Sequence, residues 1–306
     1  MKHTIVMTGA SRGIGNIAAV RMLRDTEDMH LVVTTRNRGD DLVAQLVRDS
    51  GNRQVSWVDA ELSSLSPIRS AAAEIAHRLD SGLLPPLTGF VGNAGLQLAS
   101  GNRATEDGIE TTFAVNVLAN HLFVRLLTDH FAKPARIVIT TSDTHFGDLR
   151  HNMGMVPAPQ WTSPRALMTP GTTKTTDTLT AGRTAYSTSK LAVIHQVHEF
   201  ARQLPAEVEI YSWNPGFVPG TGLVRDASAV QRFAMKWVMP LMTLTPLSVS
   251  AKTAGTYLAR LMVRGHSADS GAYISLGTAE RSSQESYNPD RERELWRECE
   301  KVCDLS

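Results

Sequence analysis

Short apolar runs alternate with helical stretches from the first residues onward, and that alternation constrains the fold more than any other feature of the chain. His3 to Thr8, Leu31 to Thr35, Val55 to Val58, Leu87 to Val91, Arg136 to Thr141 and Val208 to Trp213 read as strands. Between them Asn16 to Asp25, Asp40 to Asp49, Pro67 to Leu79 and Tyr186 to Gln203 read as helices. Ile109 to Phe131 reads as one long helical region or two, and Ser66 is the expected N-cap of the helix with Pro67 in its first turn. The strands are apolar on successive residues rather than on every second one. Such strands are buried on both faces, which requires a parallel sheet with helices on each side. The expected fold class is α/β, doubly wound, with ligands outside the C-terminal ends of the strands.

Two segments interrupt the rhythm. Asp143 to Ala185 spans 43 residues rich in Thr, Pro, Gly and Met, too long for a plain connection. Pro219 to Ser250 is broken by prolines. Both follow strand ends on the ligand side and are expected to form the substrate walls (143–185) and a lid (219–250). Asn288 and Pro289 open a terminal helix as N-cap and N1.

The 306 residues fit one large α/β domain, so a single domain over 1–306 is expected, with the insert and lid inside it. A formal net charge of +1 gives no field that would draw the chain to nucleic acid or anionic lipid. The two cysteines, Cys299 and Cys303, exclude a disulfide framework and suggest ordinary helix positions in a reducing, cytoplasmic setting. No metal site is expected from two thiols alone. Ile5 to Met7 runs straight into a glycine loop, so no leader is expected, and the longest apolar stretch, Phe233 to Val249, is too interrupted to span a membrane. A homodimer is compatible with all of this.

The glycine loop is Thr8-Gly9-Ala10-Ser11-Arg12-Gly13-Ile14-Gly15, between the first strand and the first helix. Glycines there let the backbone turn tightly and approach a pyrophosphate, which then meets the helix N-terminus. The spacing resembles the T-G-x-x-x-G-I-G motif of the short-chain dehydrogenase/reductase family, whose Rossmann-type sheet binds a nicotinamide dinucleotide. Gly9, Ser11, Arg12, Gly13, Ile14 and Gly15 are the implied cofactor contacts. The second strand ends Thr34-Thr35-Arg36-Asn37, with no acid to hold a ribose 2′-hydroxyl. Arg36, with Arg12, offers instead a cationic site for a 2′-phosphate, which favours NADP(H). The third strand should bring a carboxylate to the adenine amine. The run Glu61-Leu62-Ser63-Ser64-Leu65 selects Glu61 with Leu62 by its register, and Asp59 stands a step behind. Asn93-Ala94-Gly95 matches the family's N-A-G motif beside the adenosine ribose.

Tyr186 and Lys190 sit at i, i+4 on one helix face. An ammonium near a phenol favours the phenolate, so the tyrosine pKa is expected to fall from about 10. A reductase needs an acid for the carbonyl oxygen as hydride reaches carbon, and Tyr186 fits that role. Lys190 would also hold the nicotinamide ribose. Ser142 can hydrogen-bond the substrate oxygen. The resemblance makes Asn116 the fourth catalytic member, linking Lys190 to a proton-relay water; on its residue type alone it reads as a helix-bending asparagine. Pro215, Gly216 and Val218 resemble the family's P-G-x-V segment at the nicotinamide carboxamide, and Thr221 is placed near the pyrophosphate.

The segment Pro215 to Leu223, Ser270-Gly271-Ala272-Tyr273 and the helix Leu295 to Lys301 are similar to light-dependent protochlorophyllide reductases and retinol dehydrogenase-like members. The photoenzyme has a proton-delivering cysteine where this chain has Phe217. The expected activity is therefore NADP(H)-dependent interconversion of a ketone or aldehyde with an alcohol on an apolar small molecule. Reduction of a carbon–carbon double bond is the alternative within the family, and a non-catalytic NADP sensor the alternative outside enzymes. Met153, Met155, Trp161, Leu167 and Met168 in the insert, and Phe233, Met235, Trp237, Met239, Leu241 and Met242 in the lid, are the expected apolar lining.

Overall fold

The structure is a computed structural model that describes residues 2–100, 102–152, 154–172, 177–219, 224–225 and 248–305. The chain opens β1 (His3–Thr8), α1 (Gly13–Asp25), β2 (Met29–Thr35), α2 (Gly39–Ser50), β3 (Val55–Asp59), α3 (Leu65–Asp80) and β4 (Leu87–Gly92). A short strand, β5 (Gln97–Leu98), precedes a helical region made of α4 (Thr111–Phe113), a π-helical turn (Ala114–Leu118) and α5 (Ala119–Leu127). Then come β6 (Phe131–Thr140), a 3-10 turn (Asp143–Phe146), α6 (Leu149–Asn152), α7 (Pro164–Leu167), α8 (Thr178–Gln203) and β7 (Val208–Asn214). The remainder is β8 (Val224–Arg225), α9 (Ala251–Arg264), β9 (Tyr273–Ser275), β10 (Thr278–Glu280), a second 3-10 turn (Gln284–Ser286) and α10 (Pro289–Val302).

Among the described residues the main sheet has eight strands in the order β10-β9-β7-β6-β4-β1-β2-β3. Pairings from β3 across to β9 are parallel, and only β10 runs antiparallel, against β9. The order reverses at β1, the switch point where a doubly wound sheet opens a crevice. The buried residues explain the apolar strands. Val6, Val32, Val58, Phe90, Ile137, Ile139 and Ile210 join the core under α3, α5, α8 and α10. Their neighbours Ile5, Met7, Leu31, Val33, Val91, Val138, Tyr211 and Trp213 join the opposite core under α1, α2 and α9. Strands β1, β2, β4, β6 and β7 therefore each feed both layers.

Three expectations are corrected. The helix carrying Tyr186 begins at Thr178, capped by the Asp177 carboxylate on the Leu179 and Thr180 amides. The third helix begins at Leu65 with Ser64, not Ser66, in the cap position; the Leu65 amide is satisfied by the Asp107 carboxylate instead. The last strand of the first half starts at Phe131, five residues before Arg136. At the other end, the Asn288 side chain accepts from the Arg291 amide and Pro289 takes the first turn of α10, as the cap rule requires. Cys299, on α10, and Cys303, at its C-cap, are both buried, and burial raises both thiols above their ordinary range. Among the described residues no helix is long and apolar enough to cross a membrane.

Candidate active site

The C-terminal edge of the sheet is built from two adjoining corners. In the first, Gly9 and Gly13 adopt φ of +72° and +57°, a region that favours glycine. A Cβ on Gly9 would stand 2.7 Å from the Ala94 amide nitrogen, and one on Gly15 would stand 2.0 Å from the Gly9 carbonyl oxygen. The two loops are laced together. The Asn93 amide donates to the Gly9 carbonyl at 3.1 Å, and the Thr8 hydroxyl accepts from the Ala94 amide at 3.0 Å. Arg12 takes the cap position of α1 with no side-chain cap, leaving Ser11, Gly13, Ile14 and Gly15 around the positive end of a 13-residue helix.

Arg36, at the end of β2, is half exposed and pairs with Glu61 at 2.6 Å. The other Glu61 oxygen accepts from the Ser63 amide at 3.0 Å and the Ser63 hydroxyl at 2.8 Å. Burial acts to raise the Glu61 pKa, but Arg36 and Ser63 outweigh it and the carboxyl stays below its usual range. Both Glu61 oxygens are thus committed to the protein. Asp59, at the end of β3, is exposed.

The second corner carries Ser142, Tyr186 and Lys190. Tyr186 and Lys190 are 5% and 3% exposed. The Lys190 ammonium lies 5.6 Å from the Tyr186 ring centroid and donates to the Thr140 carbonyl at 3.0 Å. The Thr141 hydroxyl returns a bond to the Lys190 carbonyl at 2.8 Å, which sews the end of β6 to α8. The Ser142 side chain lies near enough to the Tyr186 hydroxyl to favour its ionised form. The expected drop in the tyrosine pKa is overturned: burial pushes Tyr186 up to about 12, against the smaller opposite effect of Ser142. Burial also lowers Lys190 to about 8. Desolvation of both groups exceeds the help the ammonium gives a phenolate.

Asn116 sits inside the π-helical turn, 1% exposed. Its side-chain oxygen accepts from the Leu96 amide at 2.9 Å. Its NH2 group donates to the Leu96 carbonyl at 3.1 Å and the Ser189 hydroxyl at 2.9 Å. The side chain thus bonds Leu96 and Ser189, and Asn116 and Lys190 flank Gly95, where a Cβ would meet them at 3.3 and 3.5 Å. The wide turn frees backbone groups, and the Asn120 amide donates to the Asn116 carbonyl at 2.8 Å.

A short chain dehydrogenase family model matches residues 3–153, which hold the glycine corner, Asn116 and Ser142. The relatives match well beyond that stretch. A putative daunorubicin C-13 ketoreductase, DnrU, of Streptomyces sp. is 29% identical over 90% of this chain and 91% of its own. The chain belongs to the short-chain dehydrogenase/reductase family. It is an oxidoreductase of that family. Protochlorophyllide reductase A of Oryza sativa subsp. japonica is 27% identical over 98% of this chain and 80% of its own. A short chain dehydrogenase from Burkholderia cenocepacia, solved in complex with NADP, has the same fold, with a TM-score of 0.62 and 24% identity over 90% of this chain and 95% of that one.

The family's P-G segment lies just past β7: Gly216 has φ of +70°, and the Phe217 carbonyl accepts from the Val249 amide at 2.8 Å. Pro215 and Val218 flank it, half-buried. Thr221 and the lid residues Phe233, Met235, Trp237, Met239, Leu241 and Met242 lie outside the described residues, as does Met153. The rest of the insert divides. Met168 is buried in the core, its carbonyl accepting from the Glu110 amide, and so does not line a ligand site. Trp161 and Leu167 line a cavity of about 470 Å³ with Glu110, Phe113, Thr184 and Thr188. Residues 184 and 188 face away from 186 and 190 by helical periodicity, so this cavity lies across α8 from Tyr186. No motif or spacing in the sequence marks His145 or Asn214 for a role; the one signal for Asp143 is its place beside Ser142, and Tyr273 closes the Ser270-Gly271-Ala272-Tyr273 segment with no role attached.

Proposed function

We propose that the chain is an NADP(H)-dependent oxidoreductase that interconverts a ketone or aldehyde and an alcohol on a hydrophobic small molecule, with Tyr186 as proton donor. The observation that carries this reading is the meeting of Tyr186, Ser142 and Lys190 at the strand edge beside the glycine corner. The glycine corner fits a dinucleotide: it is a cradle that a single Cβ would fill, and it ends at an uncapped helix N-terminus. The ketoreductase name of the Streptomyces relative and the NADP of the Burkholderia structure support the same assignment.

Bound NADPH would supply the reducing equivalent at carbon. Ser142 would hold the carbonyl oxygen, and Tyr186, kept neutral by burial, would give that oxygen its proton. Lys190 would place a positive charge beside the phenol and hold the nicotinamide ribose. Gly9 through Gly15, with Asn93, Ala94 and Gly95, would carry the pyrophosphate and adenosine ribose, and Leu62 would border the adenine. Arg36 would meet the 2′-phosphate, and its pairing with Glu61 holds the guanidinium at the end of β2. Pro215, Gly216 and Val218 would border the carboxamide, and Phe217 adds apolar surface where the photoenzyme has a cysteine, which favours carbonyl chemistry over double-bond reduction.

The test is a panel of hydrophobic ketones and aldehydes with NADPH, followed at the nicotinamide absorbance. Tyr186→Phe should lose about 10²- to 10⁴-fold in kcat; equal turnover by wild type and variant across the panel would sink the assignment. Arg36→Ala should weaken NADPH by about tenfold or more and leave NADH within about twofold, the loss of one charge-assisted bond. An unchanged preference would remove Arg36 from the phosphate site.

A further inference from the structure

The sheet ladder between β6 and β7 ends just short of the active site. Ala135 through Thr140 pair with Val208 through Trp213, and the Thr141 amide adds a last bond to the Trp213 carbonyl at 2.7 Å. Beyond it the two chains diverge, one into Ser142 and the other into the Pro215-Gly216-Phe217 segment. A side chain takes over where the backbone stops. One oxygen of the Asp143 carboxylate accepts from the Asn214 amide at 2.6 Å and from the Tyr273 hydroxyl at 2.7 Å. The Asn214 side-chain oxygen in turn accepts from the Gly216 amide at 3.1 Å. Bonds of this kind, with one charged partner and partial burial, are short and geometrically demanding.

The turn around Ser142 is held from its other side as well. The Ser142 carbonyl accepts from the His145 backbone amide at 3.2 Å and contacts its Nδ1 at 2.6 Å. His145 Nε2 accepts from the Ser283 amide at 3.1 Å. With Nε2 an acceptor, Nδ1 carries the proton and donates to Ser142, so the imidazole is neutral and of one tautomer. Ser142 thus stands between a fixed histidine and a fixed carboxylate. The sheet itself holds without Asp143, since six paired residues already join the two strands.

We propose that Asp143 is a positioning residue. Its carboxylate sets the spacing between the Ser142 hydroxyl and the Gly216 backbone, and so between the carbonyl oxygen and the nicotinamide. The proposal rests on the reading above that Ser142 holds the substrate oxygen. Misplacing a reacting group by about 1 Å can cost on the order of 10²-fold in rate.

The experiment compares Asp143→Ala and Asp143→Asn, each in the wild-type and Ser142→Ala backgrounds, with NADPH and benzil as probes. Asp143→Ala should lower kcat by about 30-fold or more while the NADPH Kd moves less than about threefold. Asparagine keeps an oxygen for both donors, so Asp143→Asn should recover to within about threefold of wild type. In the Ser142→Ala background Asp143→Ala should cost little more, because the group it positions is gone. Equal cost in both backgrounds, or no recovery with asparagine, overturns the proposal. If Asp143→Ala shows no cooperative melt, Tyr273→Phe repeats the test with one donor removed: a smaller loss expected in wild type, none in Ser142→Ala. Should wild type reduce no carbonyl, the functional reading fails separately, and the emission of bound NADPH still decides the clamp. It should shift in Asp143→Ala and not in Asp143→Asn; identical spectra would overturn it.

Discussion

The two corners of the strand edge are held by opposite means. Around Gly9 and Asn93 the chain is fitted by close backbone approach, with distances that leave no room for a Cβ and short loops laced by the Thr8 and Asn93 side chains to each other's backbone. Around Ser142 and Tyr186 it is fitted by buried polar side chains, bonded to backbone carbonyls and to one another and drawn from β6, α8, β7 and β9. The first construction is steric and indifferent to pH. The second depends on protonation, because burial has moved its ionisable groups away from their ordinary values. Sterics set whether a dinucleotide fits; protonation sets whether chemistry follows.

The sharpest way to break that contrast is Gly15→Val. The added Cβ would lie 2.0 Å from the Gly9 carbonyl and 2.4 Å from the Asn93 amide, both parts of the lacing itself. NADPH binding should be lost by about 100-fold or more at every pH, measured by quenching of protein fluorescence. Binding within about threefold of wild type would show that the corner yields.

The second corner should instead respond to pH. Burial lowers Lys190 to about 8, so its positive charge is present below that pH and lost above it. Tyr186 stays protonated up to about 12. The kcat/KM for carbonyl reduction should therefore fall about tenfold per unit above pH 8, and Lys190→Arg should carry that limb beyond the measurable range, whatever its absolute rate. A limb unmoved in the arginine variant would assign the titration elsewhere.

The smallest expected effect lies across α8, at Glu110. Its carboxyl caps α4 by accepting from the Phe113 amide at 2.7 Å, yet burial raises its pKa to about 7. Between the ordinary carboxylate range and about 7 the folded state holds a proton that the unfolded state has released. Stability should thus decline as pH rises through this window, and Glu110→Gln should flatten the decline. Parallel Tm curves for both proteins from pH 5 to 8 would remove Glu110 as its source.

Much of the fold was legible because its causes are local. Strands buried on both faces announce themselves in runs such as Ile137-Val138-Ile139, where alternate residues feed alternate cores. The glycine corner was legible for a related reason: close backbone approach demands glycine at fixed spacing. The start of α8 was not, because Asp177 caps a stretch rich in threonine that carries no apolar stripe of its own. Ser64 and Ser66 bracket the same turn, and Pro67 suits the first turn with either as cap. The bond between Asp143 and Tyr273 joins residues 130 positions apart, and no periodicity encodes such a distance. The Tyr–Lys spacing is visible in the sequence, while the burial that raises the Tyr186 pKa is not.

The wide turn at Ala114–Leu118 has a consequence of its own. A helix can be widened only by whole residues, so the geometry around Asn116 is discrete. Deleting one codon within the turn would restore a regular helix and rotate whatever follows by about 100°. Asn116 could not then face both Leu96 and Ser189 without the rest of the helix turning with it. Drift by point substitution would leave the bulge in place, so its presence or absence should divide lineages cleanly rather than grade between them.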